Sequence, residues 1–190
     1  MYNETINMIK VAVLIGSLRK ESFNRAVFNT AVEKCPKEME LIEVEIGSLP
    51  LFNQDFEKDM PEIAINFKKK IESCDAILFI TPEYNYSVPG VLKNAIDWGS
   101  RPYTNNSWNG KPATIMSASG GMLGGARAQY HLRQMFVFIN IMALNTPEVM
   151  VAQAMDKIEN SKVKDEYTIE KIIKQLEALK KWTEKWNTIN

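Results

Sequence analysis

The 190-residue sequence predicts a doubly wound α/β domain, in which helices cover both faces of a parallel sheet. The first observation that supports this prediction is the alternation of strand-like and helix-like segments along the whole chain. Two of the strand-like runs are almost continuously apolar, as strands buried on both faces are. No repeat or low-complexity linker divides the sequence, so we expect one domain with one core over residues 1–190.

Five strands are predicted. Residues 10–15 and 76–80 form the two apolar runs and should be central neighbours. Residues 41–46 alternate in polarity over their last five positions, which is typical of a half-exposed edge strand. Residues 112–118 and 147–151 complete the sheet. Five parallel strands with intervening helices most often adopt the order 2-1-3-4-5, and we expect that order here.

Helices are predicted between the strands at about residues 24–34, 62–73, 91–98 and 125–138. The clearest helix comes last, where apolar side chains repeat at helical spacing: Ile169, Ile172, Ile173, Leu176, Leu179 and Trp182. We interpret that stripe as core packing.

Composition argues against several classes of function. The 23 basic and 23 acidic residues cancel, so no net field favours nucleic acid or anionic lipid. The apolar run at residues 11–15 is too short for the core of a signal peptide, and we expect a cytoplasmic protein that does not act at a membrane. Cys35 and Cys74 lie far apart without metal-ligand spacing, so we expect buried, inert thiols and no metal site.

Three unusual loops follow the first, third and fourth predicted strands: the first loop (residues 16–24), the second loop (residues 81–90) and the third loop (residues 117–125). In the order 2-1-3-4-5, these loops meet in a crevice beyond the carboxyl ends of the strands. The sequence therefore predicts one binding site built from all three.

The first loop carries Ser17, Ser22 and Asn24 at the start of a predicted helix, where free N–H groups attract anions. Familiar glycine patterns for phosphate are missing, so side-chain donors take their place, and Arg19 adds positive charge. This arrangement suits a small dianionic group. The alternative that Ser22 only caps the helix stays open.

The other two loops suit a flat ring. The second loop holds two tyrosines and an asparagine between prolines that stiffen it, although an ordinary strand-to-helix connection has the same composition. Glu83 has no partner nearby in sequence, which favours a binding role over general acid catalysis. The glycines of the third loop let backbone N–H groups approach a ligand closely and stabilise developing negative charge, or they form tight turns only.

Residues 16–24, 82–98 and 117–121 resemble the three signatures of the NADPH-dependent FMN reductase family. The resemblance covers roughly residues 8 to 150 and implies a flavodoxin-like fold. It also implies an enzyme that transfers a hydride from NADPH or NADH through bound FMN to quinones or other two-electron acceptors, such as azo compounds, chromate or free flavin. The cofactor would carry the chemistry, so no catalytic side chain is expected.

The resemblance also assigns residues to the cofactor. The first loop would hold the FMN phosphate through Ser17, Arg19, Ser22 and Asn24, beside Phe23. The isoalloxazine ring would be bordered by residues of the second loop: Pro82, Glu83, Tyr84, Asn85 and Tyr86. It would also meet the backbone of the third loop: Ser117, Ala118, Ser119, Gly120 and Gly121.

A homodimer or homotetramer is further implied, with interface residues Asp97, Trp98, Arg101, Arg127 and Tyr130. The aromatic-rich segment 98–108 would otherwise expose apolar surface. His131, the only histidine, is expected to be structural or to lie at an interface.

Two other functions share this fold. A non-enzymatic electron carrier of the flavodoxin type is typically acidic, which the zero net charge disfavours. A phosphorylated receiver domain needs an aspartate just after the third strand, where this chain has Thr81, Pro82 and Glu83.

Overall fold

A computed structural model describes residues 8–189 and contains the predicted parallel sheet. Its strands are β1 (Ile9–Ile15), β2 (Met39–Glu43), β3 (Ala76–Thr81), β4 (Pro112–Ala118), β5 (Met142–Ala143) and β6 (Val149–Val151). Their order is β2-β1-β3-β4-β5, with β6 also paired to β4, and every pair is parallel. The predicted order 2-1-3-4-5 is confirmed.

The helices are α1 (Phe23–Glu33), α2 (Glu62–Glu72), α3 (Gly90–Gly99), α4 (Ala126–Ile139), α5 (Ala154–Lys157) and α6 (Glu166–Asn187). Each predicted helix is present within a few residues of its expected ends. Side-chain caps set two of the starts, because Ser22 accepts from the N–H of Asn24 and Asp165 accepts from that of Thr168. The sequence did not predict α5 or the hairpin formed by β7 (Ile158–Glu159) and β8 (Lys162–Val163).

Two strands differ from their predictions. The predicted edge strand at residues 41–46 is shifted to β2, since pairing with β1 ends at Val13 and Glu43. Val44 and Ile46 follow the strand and are buried, as their apolar pattern predicts. The predicted fifth strand, residues 147–151, begins two residues later as β6, and the short strand β5, which pairs with the start of β4, was not predicted.

An apolar layer covers each face of the sheet. Alternate side chains of β1 and β3 enter opposite layers, so that Leu14 and Phe79 pack on one face while Val13 and Leu78 pack on the other. Of the stripe on α6, Ile172, Leu176 and Leu179 are buried in the same layer as Val13 and Leu78, and Ile169 packs against it, which confirms the core assignment for these four residues. Ile173 and Trp182 are half-buried. No helix within residues 8–189 is long and apolar enough to cross a membrane.

The segment 98–108 exposes less apolar surface than expected, because Tyr103 is the exposed one of its three aromatic residues. Trp98 and Trp108 are fully buried, and their indole N–H groups donate to the carbonyls of Pro50 and Ile96 at 2.7 and 3.0 Å. The assignment of Trp98 to a subunit interface is therefore wrong, because its ring already packs in the core of its own chain.

Both cysteines are free thiols in apolar surroundings. Cys74 is buried and Cys35 is half-buried, and burial raises the pKa of both, that of Cys35 to about 11. The thiolate is therefore scarce near neutral pH, in agreement with the expected inert thiols.

Candidate functional site

The three loops meet in a single cleft of about 160 Å³ at the carboxyl ends of β1, β3 and β4. Every residue that lines it is one of those predicted from the sequence: Ser17, Arg19, Ser22, Phe23, Asn24, Pro82, Glu83, Tyr84, Ala118, Ser119 and Gly120. The first and second loops approach closely, because a Cβ atom at Gly16 would lie 3.0 Å from Oγ1 of Thr81.

Hydroxyl groups and a guanidinium dominate the first loop. Ser22 caps α1, with its Oγ accepting from the N–H of Asn24 at 3.2 Å, and it also lines the cleft. The Oγ of buried Ser17 lies 3.4 Å from the hydroxyl oxygen of Tyr84, which is longer than an ordinary O–H···O hydrogen bond, so this contact holds the second loop only weakly. Exposed Arg19 places its guanidinium 5.3 Å from the ring centre of Phe23.

Asn24 connects the first loop to the third. Its Nδ2 donates to the carbonyl of Ala118 and its Oδ1 accepts from the N–H of Ala118, both at 3.0 Å. The side chain is only 2% exposed. The amide therefore bonds to main chain as well as lying at the wall of the cleft.

A tight turn shapes the second loop. The backbone N–H groups of Tyr84 and Ser87 donate to each other's carbonyls at 3.0 Å, and the two residues between them have left-handed φ angles. Those angles are 49° at Asn85 and 66° at Tyr86. Asparagine tolerates this conformation, whereas a tyrosine there is strained unless the surroundings hold it.

Helix α4 supplies the contacts that hold this turn. The carboxylate of Glu83 accepts from the backbone N–H of Arg127 at 3.0 Å and from its Nη1 at 2.9 Å. The Arg127 guanidinium lies 3.9 Å from the ring centre of Tyr86. One turn further along α4, the Nδ1 atom of His131 lies 2.9 Å from the Oγ atom of Ser87. His131 thus contacts the second loop, and its role as a structural or interface residue stays a prediction.

Buried hydrogen bonds hold the third loop in place. Ser117 is fully buried, and its Oγ donates to the carbonyl of Gly124 at 2.6 Å and accepts from Nε2 of Gln129 at 2.8 Å. A Cβ atom at Gly124, whose φ is 59°, would lie 2.8 Å from the backbone nitrogen of Ala152, so the close approach requires glycine.

Four predicted site residues lie outside the lining of the cleft: Asn85, Tyr86, Ser117 and Gly121. The first two are exposed at the tip of the turn, Gly121 is exposed, and Ser117 lies behind the third loop. Sequence reasoning also missed the support behind that loop, where the N–H of Gln153 donates to the carbonyl of Gly121 at 3.1 Å. The four-residue spacing of Arg127 and His131 on one predicted helix is the only sequence signal for their shared role.

The donors in the cleft fit an FMN molecule. The Ser17 and Ser22 hydroxyls, the first N–H groups of α1 and the Arg19 guanidinium match a phosphate dianion. Glu83 brings a carboxylate to the lining of this cleft, and an ion pair with Arg127 balances its negative charge. The remaining walls, from Pro82, Tyr84 and the small side chains of the third loop, suit a flat ring.

Comparisons with known proteins agree with this geometry. The family model described as NADPH-dependent FMN reductase matches residues 9–156. An NAD(P)H-dependent FMN reductase of Pseudomonas aeruginosa is 45% identical over 92% of this chain and 95% of its own length. A quinone reductase of Pseudomonas putida is 48% identical over 80% of this chain and 82% of its own.

A solved structure is similar over nearly the whole chain. It is FerB, a flavoenzyme NAD(P)H:(acceptor) oxidoreductase from Paracoccus denitrificans, and it is 39% identical with a TM-score of 0.86. The alignment covers 94% of this chain and 98% of FerB.

The turn geometry makes a prediction for Asn85. We expect Asn85→Ala to lower the free energy of unfolding by about 1 kcal/mol, because alanine disfavours the left-handed region, while Asn85→Gly stays close to the parental value. Urea unfolding of the apo-proteins measures both. An equal loss in the two variants would show that the asparagine side chain, and not its backbone conformation, stabilises the turn.

Proposed function

The chain belongs to the NADPH-dependent FMN reductase family, and from this premise we propose that it passes hydride equivalents from NADPH or NADH to a quinone. It is an FMN-dependent oxidoreductase with a flavodoxin-like fold. The observation that carries the proposal is the cleft in which all three loops meet. The name of the P. putida relative, a quinone reductase, supports the choice of acceptor, and azo compounds, chromate and free flavin are further candidates.

We assign the phosphate of FMN to the first loop. Ser17 and Ser22 offer hydroxyl groups, α1 offers its first backbone N–H groups, and Arg19 offers a guanidinium. Hydrogen bonds to a charged group stabilise a complex more than neutral ones do. The residues that carry these groups line the cleft, and Phe23 lines it beside them.

We assign the isoalloxazine to the space between the second and third loops. Bound FMN supplies the two-electron redox chemistry. The chain positions the ring: Pro82 and Tyr84 line the cleft from the second loop, and Ala118, Ser119 and Gly120 line it from the third. Asn85, Tyr86, Ser117 and Gly121 shape this lining from outside the cleft. Glu83 is occupied by Arg127, so its role is to hold the second loop and not to transfer a proton.

A non-enzymatic electron carrier is the less favoured function, because the family and the relatives reported above are reductases. The free thiols of Cys35 and Cys74 are typical of a reducing compartment, which supports a cytoplasmic location.

We further propose that the protein is a homodimer or homotetramer. On α4, the side chains of Tyr130, Val137 and Phe138 are exposed, the last two by 83% and 72%. Tyr103 packs edge-on against Phe138 and extends this apolar surface. Of the expected interface residues, Asp97, Arg101 and Arg127 form ion pairs within the chain, so Tyr130 is the best placed of them.

The proposed reaction predicts a yellow protein whose released cofactor is FMN. We expect NADPH or NADH to bleach its visible absorption without oxygen, and a benzoquinone to restore it. Initial rates with both substrates varied should give parallel lines, because one cleft serves donor and acceptor in turn. A protein that binds no flavin, or a flavin that neither nucleotide reduces, would reject the proposal.

The phosphate assignment predicts a selective effect at Ser17. We expect Ser17→Ala to weaken FMN binding by about ten- to a hundredfold, since a hydrogen bond to a charged group contributes about 1.5–3 kcal/mol. Riboflavin lacks the phosphate, so its affinity should not change. Fluorescence titration of the apo-protein with each flavin makes the comparison, and equal FMN affinity in parent and variant would contradict the assignment.

From the proposed oligomer we predict that Val137→Glu dissociates the assembly at micromolar concentration, because the glutamate carboxylate would be buried at the interface. Light scattering measures the molar mass. Leu51→Glu is the matched control, since Leu51 is 84% exposed and belongs to the segment between β2 and α2 and not to α4. A monomeric parent at this concentration would refute the proposal.

A further inference from the structure

We propose that Asn24 is a positioning residue, which fixes the third loop against the first, and that its side chain is not a ligand of the FMN phosphate. The inference rests on the proposed function of the cleft. It replaces the role that the family resemblance assigns to Asn24. The two bonds between its amide and the backbone of Ala118 are the observation that carries it.

These bonds extend the sheet by one step. The last pair between β3 and β4 is Thr81 with Ser117, so β3 offers no partner to the backbone of Ala118. The next residue, Ser119, bonds to Val151 on the opposite side of β4. Backbone groups alternate in direction along a strand, so those of Ala118 point towards the β3 side. On that side, the Asn24 amide accepts a hydrogen bond from the N–H of Ala118 and donates one to its carbonyl, as the backbone of a neighbouring strand would.

Loss of the two hydrogen bonds between Asn24 and Ala118 would be destabilising. Asn24 is 2% exposed and Ala118 is 1% exposed, so water does not substitute freely for the lost partner. A buried N–H and a buried carbonyl without partners are destabilising. Both oxygen and nitrogen of the amide are engaged, and turning the amide towards a phosphate would abandon both groups of Ala118.

The position of the connection gives it a consequence for binding. The first loop is the part of the cleft assigned to the phosphate, and Ala118, Ser119 and Gly120 line the part assigned to the ring. Asn24 joins these two parts. Its loss should therefore weaken every ligand that uses the part assigned to the ring, whether or not the ligand carries a phosphate.

The test is a titration of apo-protein with FMN and with riboflavin. For Asn24→Ala we expect both affinities to fall by about tenfold or more, with their ratio unchanged, because two buried hydrogen bonds are lost. Ser17→Ala should change the ratio, since only FMN is weakened. Loss of FMN affinity alone in Asn24→Ala would overturn the inference and make the side chain a phosphate ligand.

Thr30→Ala is the matched control for general destabilisation. Thr30 is buried on the same helix, and its Oγ1 accepts from the N–H of Val163 at 2.9 Å, so it ties α1 to the hairpin and not to the cleft. We expect Thr30→Ala to lower stability in urea while binding both flavins like the parent. Equal weakening of both flavins by Thr30→Ala would show that any loss of stability has this effect, and would also overturn the inference.

A measurement on the parental protein covers the case in which Asn24→Ala does not fold. Hydrogen exchange at the Ala118 amide should be slow in the apo-protein and remain slow with FMN bound, because Oδ1 of Asn24 stays its acceptor. Faster exchange in the FMN complex would mean that Asn24 leaves Ala118 for the ligand. A parent that binds neither flavin defeats the proposed function as well, whereas the other adverse outcomes defeat this inference alone.

Discussion

The parallel register of β1, β3 and β4 is the constraint on which the site depends. Ile15 pairs with Ile80 and Ile80 pairs with Met116, so the three strands end at the same edge of the sheet. Because all of them run in one direction, each chain segment leaves the sheet towards the same crevice. Residues as far apart in the sequence as Ser17 and Gly120 thereby line one cleft.

Side-chain bonds then place the loops relative to one another. Asn24 joins the first loop to Ala118, Glu83 joins the second loop to Arg127, and Gln129 holds Ser117 behind the third. Each bond links a loop to an element of regular structure. The strained backbone at Tyr86 persists because such contacts determine its conformation. A cleft arranged before the ligand arrives costs less ordering on binding.

The sequence predicted what local pattern controls. Apolar runs identified β1 and β3, and unusual loop residues identified every residue that lines the cleft. Prediction from sequence failed where a partner distant in the sequence determines whether a residue is buried. Lys68 is 5% exposed because its ammonium donates to the carbonyls of Gly99 and Asn105, and no local pattern shows that contact. Burial of Trp98 and the pairing of the short strand β5 with β4 depend likewise on tertiary packing.

Helix α4 joins the chemistry of the cleft to the outer surface of the chain. Arg127 and His131 hold the turn of the second loop from one side of the helix, while Val137 and Phe138 expose apolar surface near its end. Arg127, His131 and Val137 belong to one continuous helix, so a contact that restrains its outer surface also restrains the base of the turn. An assembly through α4 would thus bury the exposed rings and support the wall of the flavin cleft together. This gives a physical reason for the oligomer that we propose.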